Sequence, residues 1–245
     1  MVDLSRTDAG LVALARAAGD EPTDRASDLT SPFVAAFGVT GAAVSSLGDP
    51  LGVETLSASD ARSARWEEIQ LDLGEGPAWQ AAASHRAVLE PDLRSAAGEA
   101  WPFALSALIA EGLSAVYSFP LSVGTIPIGV LDLYDDTTHT FDLAHTSDVR
   151  RMAAMVGRTL LVRGIEQAAT QGDAAAPPAT FSRREIHQAT GMVIAQASVS
   201  PDDALLMLRS HAYSTGTTVD EAAQRVLDRT LTFTQPTTPR GGPVP

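Results

Sequence analysis

Arg183 and Arg184 open one predicted helix, Arg209 lies inside the next, and Tyr213 follows Arg209 by one turn. A guanidinium plane and an aromatic ring are groups that stack on splayed nucleotide bases and reach their edges. Surface arginines are also commonly nothing more than solvated charges, so residue type alone leaves both readings open. Gly191 adds a second clue. It falls inside a predicted helix, where glycine costs about 1 kcal/mol relative to alanine. Either another helix packs closely against it, or a nucleotide does.

Three helix starts position these residues. Ser182-Arg183-Arg184-Glu185, Ser200-Pro201-Asp202-Asp203 and Thr218-Val219-Asp220-Glu221 each place an acid three residues after a hydroxyl, the pattern of a capping box. Pro201 suits the first helical position, which has no N–H partner to lose. Apolar stripes follow at helical spacing: Ile186, Ala189 and Val193; Ala204, Leu205, Leu208 and Ala212; Val219, Ala222, Ala223 and Val226. Such short, alanine-rich helices must pack on one another to be stable. They predict a compact three-helix module at the end of the sequence.

The remaining composition removes several chemistries. With no cysteine there are no thiolate metal ligands, cysteine nucleophiles or thioether-attached cofactors. All 17 basic residues are arginine, which excludes Schiff-base lysine chemistry and the P-loop lysine. His85, His139, His145, His187 and His211 form no His-x-x-x-His pair. His139 and His145 do lie near Asp135, Asp136 and Asp142, where a loop metal site is conceivable, and a single axial histidine suffices for haem, but surface histidines are the simpler reading and no metal site is expected. No Gly-x-Ser-x-Gly elbow and no paired-carboxylate motif stands out. The expectation is a non-enzyme with no assignable cofactor. Net charge is −13, but residues 181–230 hold 5 Arg against 6 acids, so the three-helix module is nearly neutral.

Upstream, residues 5–18 read as a helix with Leu11, Leu14, Ala15 and Ala18 on one side. A second helix spans Phe33–Phe37, and strands are expected at Val39–Leu47 and Val53–Leu56 around Gly48-Asp49-Pro50. Helices are expected at Ala61–Leu71, Ala78–Ser84 and Pro102–Glu111, with a short strand at Ala87–Glu90. Alternation through Ala115, Tyr117, Phe119, Leu121 and Val123, then Ile126, Ile128 and Val130, predicts a β-hairpin. Pro120 and Pro127 imply edges or bulges. Trp66, Trp79, Trp101, Tyr117 and Phe119 are either core or the lining of a ligand pocket. Val149, Met152, Val156 and Leu160 run at coiled-coil spacing along a helix over 143–168, which predicts a homodimer. Without a signal peptide or a membrane-length apolar run, the expected location is cytoplasmic.

Two resemblances sharpen this. Trp66-Glu67-Glu68-Ile69-Gln70, Gly74-Glu75-Gly76-Pro77, Asp92-Leu93 and the Tyr117–Tyr134 hairpin resemble a GAF domain of the actinobacterial regulator type, from about residue 30 to 165. Relatives often carry cysteine after that proline; here Ala78 removes thiol-based sensing at the position. Ile186, Ala189-Thr190-Gly191-Met192-Val193, Ala204, Leu208-Arg209, Ala212, Val219 and Glu221-Ala222-Ala223 resemble an ANTAR domain over about 181–233. The implied fold is α+β: a GAF-like antiparallel sheet flanked by helices, then an all-α three-helix module. The implied organisation is an N-terminal helical segment (1–29), a sensor (30–170), a linker (171–180), the RNA-binding module (181–233) and a disordered tail (234–245).

The resemblance implies transcription antitermination through paired RNA hairpin loops, with Arg184, Gln188, Thr190, Gly191, Arg209 and Tyr213 facing RNA. Many relatives are basic where Thr190 stands, which shifts phosphate contact towards Arg184 or Arg209. It also implies a small-molecule ligand in the sensor, near Trp101, Tyr117 and Phe119. The alternative is a DNA-binding transcription factor with a ligand sensor, since three short helices also build a helix-turn-helix.

Overall fold

The computed structural model describes residues 4–19, 28–48, 52–96, 100–138, 140–170 and 183–233. The chain divides into two units, Met1–Ser182 and Arg183–Pro245. The expected linker and tail, together with Ser182 and His139, lie outside the described residues.

In the first unit, strand alternation sets the layers. β1 (Gly41–Gly48), β2 (Gly52–Ala58), β3 (Val88–Glu90), β4 (Ala115–Val123) and β5 (Ile126–Asp135) form one sheet in the order β2-β1-β5-β4-β3. Every pairing is antiparallel. The predicted hairpin is β4–β5, and its prolines sit where pairing loosens. The register shifts between Leu121 and Ser122, opposite Pro127, and Pro120 lies beyond the Val116–Ser118 stretch that β3 covers.

Val44, Tyr117, Phe119, Leu131 and Leu133 share a core with α1 (Leu4–Gly19), α2 (Ser31–Phe37) and α6 (Leu143–Thr170). Ala43, Val116 and Tyr134 face the other side, under α3 (Ala61–Leu73), α4 (Pro77–Ser84) and α5 (Ala104–Ala110). The fold class is the expected one, α+β with an antiparallel sheet between helical layers.

Two expectations change. The N-terminal helix is no separate segment: Leu14 is buried in the sheet's core, and the Arg163 Nη2 donates to the Ala17 carbonyl at 2.7 Å. Its inward face runs through Thr7, Gly10 and Leu14, while Ala15 is exposed. The α6 stripe is also used differently. Val149, Met152, Val156 and Leu160 are all buried in the same core, covering the sheet, so the pattern read as a dimer seam is an intramolecular one. Coiled-coil spacing and sheet-covering spacing are alike over four residues, and only the surface beneath distinguishes them.

The described residues of the second unit form three helices, α7 (Arg184–Ala197), α8 (Pro201–Thr215) and α9 (Val219–Leu227). Its core is the predicted set, from Ile186, Ala189 and Val193 to Val219, Ala222, Ala223 and Val226; Leu205 is only half-buried. The three caps differ. Thr218 and Glu221 close a full capping box. Ser200 accepts from the Asp203 N–H, but the Asp203 carboxylate takes the Ser200 hydroxyl instead of reaching back to its N–H. α7 starts one residue later than the box at Ser182 requires, with Arg183 at the N-cap and no side-chain cap bond.

Met152→Ala should lower the first unit's stability by about 2–5 kcal/mol. The denaturant midpoint, measured at two protein concentrations, reads this; a seam between two copies would instead give a midpoint that falls on dilution.

Candidate nucleic-acid interface

α7 buries Ile186, Ala189, Val193 and Ala197 along one side. At 3.6 residues per turn the opposite side is then fixed: Arg184, Gln188, Gly191 and Ala195 form an exposed line. A Cβ built at Gly191 would meet no heavy atom of the described residues within 4 Å. Among the described residues the close-packing reading of this glycine therefore finds no neighbour, and its helix-weakening effect has no counterpart there.

Thr190 is less available. It is half-buried, and its hydroxyl donates to the Ile186 carbonyl at 2.7 Å, one turn back along the same helix. Arg183 is buried at the N-cap rather than solvated. On α8, Arg209 is half-buried between Leu206 and Tyr213, which share its helical face and are 59% and 62% exposed. Two large apolar or aromatic side chains in water on one short helix form a surface of the kind that nucleobases stack on. His211 packs edge-on against Phe233, at 5.9 Å between ring centroids.

The three residues expected to line a sensor pocket are not brought together. Trp101 belongs to the core beneath α3–α5. Tyr117 and Phe119 point through the other face of the sheet, where the Tyr117 ring stacks on Phe141 at 4.2 Å. Residues 117 and 119 lie on the α1/α2/α6 side because β4 alternates, and residues 116 and 118 take the other. The acids considered for a loop metal are engaged separately: Asp142 with the His145 Nδ1 at 2.8 Å, Asp135 with the hydroxyls of Thr40 and Thr137, and Asp136 with Arg62.

A second polar site was not anticipated. Glu67 of α3 and Asp132 of β5 are both buried, and Tyr134 stands between them. The Tyr134 hydroxyl donates to the Glu67 Oε2 through a short hydrogen bond and lies 3.1 Å from the Asp132 Oδ2. The Gln70 Nε2 donates to the Asp132 Oδ2 at 2.8 Å and to the Tyr134 hydroxyl at 3.0 Å. Burial pushes the Glu67 carboxyl well above the usual carboxylate range, and the neighbouring Asp132 pushes it further. Burial raises Asp132 as well, partly offset by its hydrogen-bond donors. The local signal was an acid at position 132, inward by alternation with Val130 and Tyr134. Its partner, on a helix far away in sequence, left no motif.

Residues 179–227 match the ANTAR domain family. The C-terminal unit is an ANTAR domain. The first unit is similar to the GAF domain of a Coxiella burnetii phosphoenolpyruvate-protein phosphotransferase, at 11% identity and a TM-score of 0.51, covering 68% of this chain and 99% of that one. It is also similar to the GAF domain of the Acinetobacter phosphoenolpyruvate-protein phosphotransferase, at 12% identity and a TM-score of 0.50, covering 66% and 97%. At that identity the likeness shows the fold alone: the first unit has the GAF fold. No curated protein matches the chain.

If Gly191 serves nothing inside the ANTAR unit, Gly191→Ala should stabilise that unit by about 1 kcal/mol. Thermal unfolding followed by helical circular dichroism checks this, and a loss of stability would restore a packing role.

Proposed function

We propose that the ANTAR unit binds RNA hairpin loops and that the protein is a non-catalytic, signal-responsive regulator of transcription antitermination, with the GAF-fold unit as its sensor. The observation that carries this reading is Gly191, an exposed glycine inside α7, in line with Arg184, Gln188 and Ala195 and with open space above it. A missing side chain there lets a nucleotide approach the helix backbone.

Charge then decides how the RNA is held. With 5 Arg against 6 acids over residues 181–230, the unit cannot depend mainly on releasing counterions from many phosphates. Recognition led by bases fits better. Unpaired loop bases offer faces to Tyr213 and to guanidinium planes, and edges to Gln188 and Arg184. Duplex DNA keeps its bases stacked, so the same surface has less to hold there. In this reading the protein works in the cytoplasm on nascent transcripts, and a homodimer would present two modules to two paired loops, gaining affinity from their linkage.

The full-length protein should bind a two-hairpin RNA more tightly than duplex DNA at equal salt. Gly191→Ala should weaken RNA binding even as it stabilises the fold, which separates lost contact from misfolding. Arg209→Ala should cost about 1–3 kcal/mol if it reads a base, and Arg184→Ala should reduce the salt slope by about 1 if it meets phosphate. Tighter binding to DNA, or a Gly191→Ala variant with unchanged RNA affinity, overturns the reading.

A further inference from the structure

Gln70 ties the buried acids to the turn that follows α3. Its Nε2 holds Asp132 and Tyr134, and its Oε1 accepts the Ala78 N–H at 2.9 Å. Its backbone carbonyl takes the Gly74 N–H at 2.9 Å and the Trp79 indole N–H at 2.8 Å. Gly76 lies so close that a Cβ there would come within 2.6 Å of the Gln70 Oε1, at a φ of 132°. At the turn's other end, the Glu75 carboxylate caps α5 by accepting the Phe103 and Ala104 N–H groups at 2.6 and 2.7 Å. Residues 74–77 are thus fastened to the acid pair through one amide and to α5 through one carboxylate.

We propose that Glu67 and Asp132 share a single proton near neutral pH, and that this proton latches the 74–77 turn over the sheet through Gln70. The hydrogen-bond inventory supports this. Two buried carboxylates would need donors for about four oxygens, yet the Tyr134 hydroxyl has one proton, and the Gln70 Nε2 divides its two between Asp132 and Tyr134. Glu67 Oε1 and Asp132 Oδ1 have no hydrogen-bond partner among the described residues, and the Ser45 and Ser118 hydroxyls beside the two acids only partly offset the burial of their charge. Among the described residues the titratable groups acting on the pair are Glu67 from α3 and Asp132 and Tyr134 from β5; β1 and β4 supply only those serines, and none of the groups acting on either acid is a cation. A proton is the positive charge this geometry admits.

Loss of that proton places two negative charges side by side in a dry site. Glu67 and Gln70 lie on one face of α3, so a shift of Glu67 away from Asp132 carries the Gln70 amide with it and frees the Ala78 N–H. The sign follows from the raised carboxyl. The latch is fully closed below the ordinary glutamate range and weakens as pH rises through the pair's upper pKa.

Two measurements on the full chain test this. Carbon-13 carboxyl NMR should find one of the two acids still protonated at about neutral pH, where ordinary carboxyls are ionised. Hydrogen exchange at the Ala78 amide, corrected for base catalysis, should accelerate about tenfold per pH unit between the ordinary carboxyl range and the upper pKa, the slope of one linked proton, and level off above it. Glu67→Gln should abolish that acceleration, as should Asp132→Asn if Glu67→Gln does not fold. Glu54→Gln, which removes another acid raised by burial on β2, should leave it intact. Two ionised acids at neutral pH, flat Ala78 exchange in the wild type, or an unchanged slope in Glu67→Gln overturns the proposal.

Discussion

From Ile128 onward strand β5 has no solvent face. Helices cover both sides of the sheet, and every residue from Ile128 to Asp135 is buried. Its apolar residues are answered by packing, but Asp132 and Tyr134 must find hydrogen bonds inside, because an unpaired buried polar group costs on the order of 1–3 kcal/mol. That requirement fixes much of the layer above. α3 has to present Glu67 and Gln70 at that point, and Trp66 packs its ring 5.4 Å from Tyr134. Gln70 then dictates the turn, the turn needs glycine at 76, and Glu75 sets where α5 begins. One polar pair on a central strand organises three helices.

The ANTAR unit rests on a different constraint. Its core is largely alanine and valine, with Ala189, Ala197, Ala204, Ala212, Ala222 and Ala223 all buried. Small side chains bury little area each, roughly 25 cal/mol per Å² of apolar surface. Backbones therefore have to approach closely, and helix ends matter more than in a large core. The caps at Ser200 and Thr218 set where α8 and α9 begin, and the left-handed C-caps at Ser198 and Gly216 set where α7 and α8 end. With helix phase and length determined, the outward line on α7 is determined too.

What the sequence revealed and what it hid divide along the same boundary. Element types, the β4–β5 hairpin and the ANTAR core were legible because each depends on periodicity or on residues within one turn of each other. The box at Thr218 could be read for the same reason. The acid pair was not, since Glu67 and Asp132 meet only after the sheet and α3 pack. Partner surfaces failed in the same way: the α6 stripe looked like a seam because a sequence does not say which surface a stripe covers. Trp101, Tyr117 and Phe119 looked like one pocket because aromatic composition carries no information about sheet faces. That Arg184, Gln188 and Gly191 share the exposed side of α7 follows from helical spacing alone, since a face of a single helix needs no partner to define it.

Two glycines show how structure assigns a cause that sequence cannot. Gly76 stands at the N-cap of α4 and Gly191 lies inside α7, and by sequence either could be a packing glycine. At Gly76 the reason is internal, with a positive φ and the Gln70 amide occupying the space a side chain would need. At Gly191 the backbone is ordinary helix and the space is empty. Alanine there would clash with nothing and would favour the helix. The described residues of the unit thus supply no cause for Gly191, and the proposed RNA contact would supply one on the exposed side of α7, where Arg184 and Gln188 also lie.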